Sequence, residues 1–367
     1  VTFGTFHSVF FWMLRNAYNY TAANIVTDSE KYGAIRDSID RHGFRYDSQE
    51  DFAKNVVGEI GNVKSGRVSL ENYESTTMKP EDFRVVYDEY ENFLRRCGKI
   101  DFDDMLVFTY ELLSERPDIL KMWQNKFRYI LIDEFQDINM IQYDIVKLLA
   151  GERQNVFSVG DDDQSVYGFR GAAPAIMKKF PEDFHGTVIE YLNVNYRCSY
   201  DIVECSKRII QNNRDRYEKQ LRSAFAAGQS DRVHIVKTDS MTEQNKKIID
   251  RITELNRAGI PYREMAIIFR TNTEPRALAS KLMENGIPFL MKDNIPNIFT
   301  HFLAENIFDY IRLARGSRDR RTVLRIINKP NRYISRDAFD SPVVNFEELR
   351  QNYKDKYRIV NNINVLE

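Results

Sequence analysis

Tyr129-Ile130-Leu131-Ile132-Asp133-Glu134-Phe135-Gln136-Asp137 decides the fold, because four apolar residues run without a break into a cluster of carboxylates. A short apolar run that ends this way reads as a buried strand of a parallel sheet, with its chemistry at the carboxyl end. Two adjacent carboxylates there can divide labour. One holds a magnesium ion, usually through water, while the other orients or deprotonates the water that attacks a phosphate. The alternative is structural: Asp133 and Glu134 cap the helix that begins near Asn139.

Outward from this stretch the texture differs on the two sides. The first 125 residues read mostly as helix. Phe83, Val86, Tyr87, Tyr90, Phe93, Leu94 and Cys97 recur at helical spacing behind Pro80-Glu81-Asp82, a proline and acidic first turn suited to a helix start. From Phe127 onward short apolar runs alternate with amphipathic ones, and Tyr129 to Ile132, Val156 to Val159 and Val188 to Leu192 are expected to be strands of one α/β unit. Val233 to Val236 and Ala266 to Phe269 flank a helix bearing Ile248, Ile249, Ile252 and Leu255 and suggest a second such unit, joined through the polar loop from Ala224 to Asp231. From about Ile295 the chain turns helical again and carries a basic segment, Arg315 to Arg336, read as a solvated helix face interrupted by Asp319 and Asp337.

Composition narrows the classes. The 367 residues are about two and a half times a typical domain of roughly 150, so two or three domains are expected. Lys and Arg number 53 against 54 Asp and Glu, so the net charge of -1 excludes nucleic-acid binding by overall positive charge, and any such site must be local. At 43% hydrophobic residues, with only 16 Gly and 10 Pro, the chain is neither disordered nor fibrous. The longest apolar stretch, Val9 to Leu14, is far too short to span a membrane, which predicts a soluble, cytoplasmic protein. Cys97, Cys198 and Cys205, with five scattered His, show no metal-ligand spacing, and Cys198 and Cys205, seven apart on an expected helix, are read as small buried residues rather than ligands.

The next expected strand ends in Gly160-Asp161-Asp162-Asp163-Gln164-Ser165-Val166-Tyr167-Gly168-Phe169-Arg170-Gly171-Ala172. Carboxylates followed at once by Gln, Tyr, Phe and Arg suit a surface that meets a nucleotide at one end and stacks a base at the other, with Arg170 on a phosphate. A turn carrying two core aromatics is the structural alternative. The third strand leads to Asn195-Tyr196-Arg197-Cys198-Ser199, where Tyr196 offers a flat face for a purine and Arg197 a planar cation for a phosphoryl group. Capping and packing of the following helix would also explain these residues.

This ordered set resembles superfamily 1 DNA helicases of the UvrD/Rep group. Asp133 to Asp137 resembles their Walker B motif, Gly160 to Ala172 motif III, and Leu192 to Ser199 the Asn-Tyr-Arg-Ser motif. Gly4-Thr5-Phe6-His7-Ser8 is similar to the strand-contacting motif, Asp101-Phe102-Asp103-Asp104 to the end of the 1B insertion, and Phe269-Arg270-Thr271-Asn272 to a motif of the second motor domain. The resemblance implies an α/β, RecA-like parallel-sheet core of the P-loop NTPase type, present in part: domain 1A over 1–20 and 108–190, helical 1B over 21–107, part of 2A over 191–292 and the start of helical 2B over 293–367. It implies ATP and Mg2+ as cofactors and single-stranded DNA with single-strand/duplex junctions as partners, movement 3′ to 5′, and no membrane. Asp133 would hold magnesium through water and Glu134 act as base. Gln164 would sense the γ-phosphate, Arg197 act as arginine finger and Tyr196 stack on adenine. Thr5, Phe6, His7, Phe102, Tyr167, Phe169, Arg170 and Asn272 would meet DNA, Phe169 replacing the Trp of several relatives. Glu134, Gln164 and Arg197 are then expected to converge on one triphosphate pocket. Phe102 is also open to a packing role, and His7 to a place in the core.

No Gly-Lys-Thr phosphate loop precedes Thr5, and motifs V and VI find no match. The chain is therefore expected to be an internal piece of a larger motor that hydrolyses ATP negligibly by itself, with a core face or sheet edge left uncovered. The motor part of a helicase-nuclease subunit and a non-catalytic DNA-binding scaffold descended from a helicase are the alternatives.

Overall fold

A computed structural model describes residues 1–44, 49–66, 68–165, 175–213, 216–227, 232–271, 274–292, 302–335, 338–339 and 341–367. The chain divides into two compact units, Val1–His234 and Ile235–Glu367.

The first unit begins with six helices: α1 (Phe6–Tyr18), α2 (Asp28–His42), α3 (Gln49–Gly66), α4 (Pro80–Cys97), α5 (Phe102–Glu115) and α6 (Pro117–Lys126). Helix α4 forms where the sequence predicts it. Pro80 occupies the first turn with Glu81 and Asp82 beside it, and the chain leaves through Gly98 in the left-handed region, φ 62°. Its buried face, Phe83, Val86, Tyr90 and Leu94, packs with Ile35 and Ile39 of α2 and Val56, Ile60 and Val63 of α3 into a helical core of its own. Fully burying a side chain such as Phe83 contributes about 1.5–3 kcal/mol.

Strand β1 (Ile130–Ile132) pairs in parallel with β2 (Val156–Ser158), Ile130 opposite Val156 and Ile132 opposite Ser158, with α7 (Met140–Ala150) as the crossover. Side chains alternate across the pair. Ile132 is buried beside Phe135, Tyr143 and Phe180, the last from α8 (Ala175–Asp183). Leu131 and Phe157, directly opposite one another, point the other way and are 74% and 63% exposed. Parallel strands are normally covered on both faces, so this pair carries a bare apolar face.

Two further short strands, β3 (Val194–Asn195) and β4 (Arg222–Ser223), pair in parallel, with α9 (Tyr200–Ile210) between them. The expected strand at Val188 to Leu192 is displaced toward β3. Residues 188–192 have no ladder partner among the described residues, and Leu192 is 85% exposed. Apolar runs become strands only where a neighbour supplies the hydrogen bonds.

The second unit is helical. Helices α10 (Met241–Arg257) and α11 (Pro275–Glu284) share a small core of Ile252, Leu278, Leu282 and Ile287. The runs at 233–236 and 266–269 are likewise unpaired among the described residues, which corrects the expectation of a second sheet there. Helices α12 (Phe302–Ala314), α13 (Arg320–Ile326), α14 (Phe346–Asn352) and α15 (Tyr357–Leu366) enclose a core that includes Leu313, Val323, Ile326 and Ile363. Most of the basic segment is exposed as expected, with Arg315, Arg320, Arg321 and Lys329 on the surface, but two of its arginines turn inward. Arg325 Nε pairs at 2.7 Å with Asp309, whose side chain is fully buried. Arg332 is itself buried and donates to the carbonyls of Ile326 and Ile327 and to the Tyr310 hydroxyl. These arginines satisfy carbonyls and a carboxylate that burial would otherwise strand. Arg336 and Asp337 lie outside the described residues.

Candidate nucleotide and DNA site

Because β1 and β2 run in parallel, their carboxyl ends emerge side by side. The Val159 amide donates to the Ile132 carbonyl at 2.8 Å and the Phe135 amide to the Val159 carbonyl at 2.9 Å, so the two outgoing loops are pinned together. Gly160 is required at this contact, since a Cβ there would meet Gln136 Oε1 at 2.9 Å and the Gln136 amide nitrogen at 3.2 Å. The turn leaves β1 sharply, and Glu134 sits in the left-handed region at φ 51°, ψ 45°. Non-glycine residues rarely adopt that region, and strain of this kind tends to concentrate where a side chain must be aimed.

Asp133 and Glu134 do not cap α7. Asn139 does, accepting from the Gln142 amide in a reciprocal box, so the capping alternative fails. Both carboxylates are exposed. Asp133 Oδ1 accepts from the Glu134 amide at 3.0 Å, and its other oxygen has no partner among the described residues. One free carboxylate oxygen at a strand end is the donor set a mostly hydrated magnesium ion needs, so Asp133 fits that role. Glu134 Oε2 accepts from Gln136 Nε2 at 2.7 Å. Burial and the neighbouring Glu134 charge push the Asp137 carboxyl up.

Gln136, which sequence reasoning passed over, is only 2% exposed and bridges the two loops. Its amide group donates to Glu134 and accepts from the Asp161 amide at 3.0 Å. Asp161 in turn holds Gln164, whose Nε2 donates to Asp161 Oδ2 at 2.7 Å. Glu134 and Gln164 therefore belong to one hydrogen-bonded run. The three carboxylates of Asp161, Asp162 and Asp163 lie close enough together to hold a cation, and Lys219 Nζ occupies the space among them. Arg216 grips Asp163 with two bonds of 2.7 and 2.6 Å. Hydrogen bonds from Arg216 hold the Asp163 carboxyl below the usual range.

Tyr196 and Arg197 follow β3. Asn195 Oδ1 accepts from the Arg197 amide at 2.9 Å and the Cys198 amide at 2.7 Å, an Asx turn that presents both side chains outward. Tyr196 is 76% exposed, and the Arg197 guanidinium makes no hydrogen bond or ion pair among the described residues. The site thus links Glu134 to Gln164 only through Gln136 and Asp161, and Arg197 touches neither, so the expected convergence of all three is not seen among the described contacts.

On the DNA side, Thr5 is the N-cap of α1, its hydroxyl accepting from the Ser8 amide at 3.3 Å. Phe6 is half-buried and packs at 5.6 Å from Phe10, so its ring serves the core. His7 and Phe102 come together edge to face, ring centroids 5.5 Å apart at 90°. Phe102 remains 51% exposed, and burial lowers the His7 pKa, favouring the neutral ring. Tyr167, Phe169, Arg170 and Asn272 lie outside the described residues.

On either side of Phe102 in the sequence, Asp101 and Asp104 belong to a buried ionic cluster that the sequence did not reveal. Asp101 and Asp104 form a reciprocal capping box at the start of α5. Lys64 of α3 reaches Asp101 at 3.0 Å, Asp104 at 2.7 Å and Glu91 at 2.5 Å with only 4% of its side chain exposed. Tyr90 adds a hydroxyl to Asp101 at 3.1 Å. Burial opposes the Lys64 charge, but Asp101, Asp104 and Glu91 outweigh it and raise its pKa. Burial and the Asp101 charge push Asp103 up to about 6 and Asp104 up to about 7.

Comparison with known proteins shows the family. Residues 1–185 match the UvrD/REP helicase N-terminal domain, and residues 190–364 match the UvrD-like helicase C-terminal domain. The ATP-dependent DNA helicase PcrA of Staphylococcus epidermidis is 32% identical over 342 residues, covering 90% of this chain and 45% of that protein. PcrA of Staphylococcus aureus is 31% identical over 337 residues, 89% of this chain and 45% of its own length. YjcD of Bacillus subtilis is 30% identical over 343 residues, 92% of this chain and 44% of its own. The chain spans less than half the length of these relatives. No helix among the described residues is long and apolar enough to cross a membrane. With its acidic strand end, its paired loops and both halves of the family pattern in order, the chain belongs to the UvrD/REP helicase family.

Proposed function

We propose that this chain is part of an ATP-dependent motor that moves 3′ to 5′ along single-stranded DNA and opens duplex at single-strand/duplex junctions. The observation that carries the proposal is the run Glu134–Gln136–Asp161–Gln164, which ties the end of one inner strand to the loop after its neighbour. A base and a γ-phosphate sensor must respond to the same event, and a buried glutamine between them provides that coupling. In this reading residues 1–20 and 108–190 form domain 1A, 21–107 the helical 1B, 191–292 part of 2A and 293–367 the start of 2B. Asp133 holds Mg2+, which when bound neutralises charge on the phosphates. Glu134 accepts the proton of the attacking water. Tyr196 stacks on adenine, and Arg197 meets the transferring phosphoryl group. Thr5, His7 and Phe102 make up a DNA face of the first unit, and Tyr167, Phe169, Arg170 and Asn272 are further proposed DNA contacts.

The DNA face is testable without turnover. Anisotropy of a labelled single-stranded oligonucleotide should report binding by the purified chain. Phe102→Ala should weaken that binding about 5- to 150-fold, since stacking on one aromatic contributes about 1–3 kcal/mol per base. Equal affinity for wild type and variant would remove Phe102 from the interface. A wild-type chain that ignores the oligonucleotide would remove the DNA face altogether.

A further inference from the structure

Lys219 and Arg216 lie some fifty residues beyond the carboxylates they hold, yet every member of Asp161-Asp162-Asp163 is tied to this one short segment. Lys219 Nζ contacts Asp161 Oδ1, Asp162 Oδ1 and Asp163 Oδ2. Arg216 takes both oxygens of Asp163, and the Tyr217 amide donates to Asp162 Oδ2 at 2.7 Å. The Asp161 carboxylate is shared, with Lys219 on one oxygen and Gln164 on the other. The side chains of Lys219 and Arg216 are only 20% and 17% exposed, so these are not solvent-screened surface pairs.

Three residues after Lys219 the chain becomes β4, and β4 holds the Asn-Tyr-Arg turn. Arg222 donates its amide to the Asn193 carbonyl at 2.8 Å, and the Ala224 amide donates to the Asn195 carbonyl at 2.9 Å. Ser223 Oγ donates to the Cys198 carbonyl at 2.9 Å, closing on the same turn that Asn195 Oδ1 organises through the amides of Arg197 and Cys198. Named bonds thus lead from the Glu134 carboxylate through Gln136 and Asp161 to Lys219, and the chain itself carries the link on from Lys219 to β4, which is bonded to the turn that holds Arg197.

We propose that Lys219 and Arg216 are positioning residues that fasten the Gln164 loop to the strand presenting Tyr196 and Arg197. This deepens the motor reading and rests on it for its functional meaning, while the fastening itself does not. Three carboxylates in a row repel one another when their cation is withdrawn, and the turn that carries Gln164 opens. The consequence reaches beyond the turn, because the same segment registers β4 on β3.

Amide hydrogen exchange on the 367-residue chain reads this directly. In Lys219→Met, the amides of 161–165 and those of 195–198 should both exchange about tenfold faster or more, while α4 and α5 keep their wild-type protection. Lys219→Arg should restore both segments together. Should Lys219→Met unfold the chain, Arg216→Gln is read in the same way. Faster exchange at 161–165 alone, or at neither segment, overturns the proposal, since a merely local role would loosen only the turn. Neither ATP nor DNA enters this measurement. Unchanged exchange beside slowed turnover of the full-length variant would therefore sink the fastening and spare the motor, and altered exchange in a protein without turnover would do the reverse.

Discussion

Lys64→Met is expected to lower folding stability by about 3–5 kcal/mol, the cost of breaking a buried ion pair by removing one partner. The long apolar side chain of Met keeps most of the packing, so the loss isolates the charge. Asp101 and Asp104 would then be buried with no cation, beside the partly exposed Glu91. The pH dependence identifies the cause. Asp103 at about 6 and Asp104 at about 7 stand above the value of about 4 that such groups have in an unfolded chain. The folded state therefore holds these protons more tightly than the unfolded state. The stability this contributes is fully present below about pH 4 and is lost as pH rises through 6 and 7. Without Lys64 the folded-state values climb further, so the variant should lose more than wild type between pH 5 and pH 8. Urea unfolding followed by circular dichroism at both pH values checks this. A penalty of under about 1 kcal/mol, or one identical at both pH values, would mean the cluster is held by something other than Lys64.

The second large effect is chemical. Glu134→Gln in the full-length protein should cut ATP turnover about 10²- to 10⁴-fold, the usual contribution of a positioned general base. Gln keeps an oxygen to accept from Gln136 Nε2, so the polar run through Asp161 to Gln164 survives and nucleotide affinity should hold. Steady-state phosphate release and titration with a fluorescent ATP analogue separate the two quantities. Turnover within tenfold of wild type would exclude Glu134 as the base, whatever happened to binding.

Local signals carried much of this architecture and long-range ones did not. Helix α4 was readable because Pro80, the acidic first turn and the apolar spacing all act within one element. The acidic strand end was readable because β1 runs directly into Asp133 and Glu134. Lys64 was not, since its partners are Glu91, Asp101 and Asp104 and nothing in a single sequence says which helix faces which. Arg216 and Lys219 were hidden for the same reason. A better signal existed for Gln136: a polar residue between two apolar anchors, Phe135 and Ile138, is already a candidate for a buried bridge. Within the mostly exposed basic segment, Arg325 and Arg332 satisfy buried acceptors, a role that charge pattern alone cannot distinguish from that of their wet neighbours. The runs at 188–192, 233–236 and 266–269 have strand composition, but composition does not supply a neighbouring strand.

The left-handed backbone of Glu134 sets a trap for engineering. Any L side chain there sacrifices roughly 1 kcal/mol that glycine would recover, so a library ranked by melting temperature alone would enrich Glu134→Gly. The winner would be sturdier and, with no carboxylate left to receive a proton, idle.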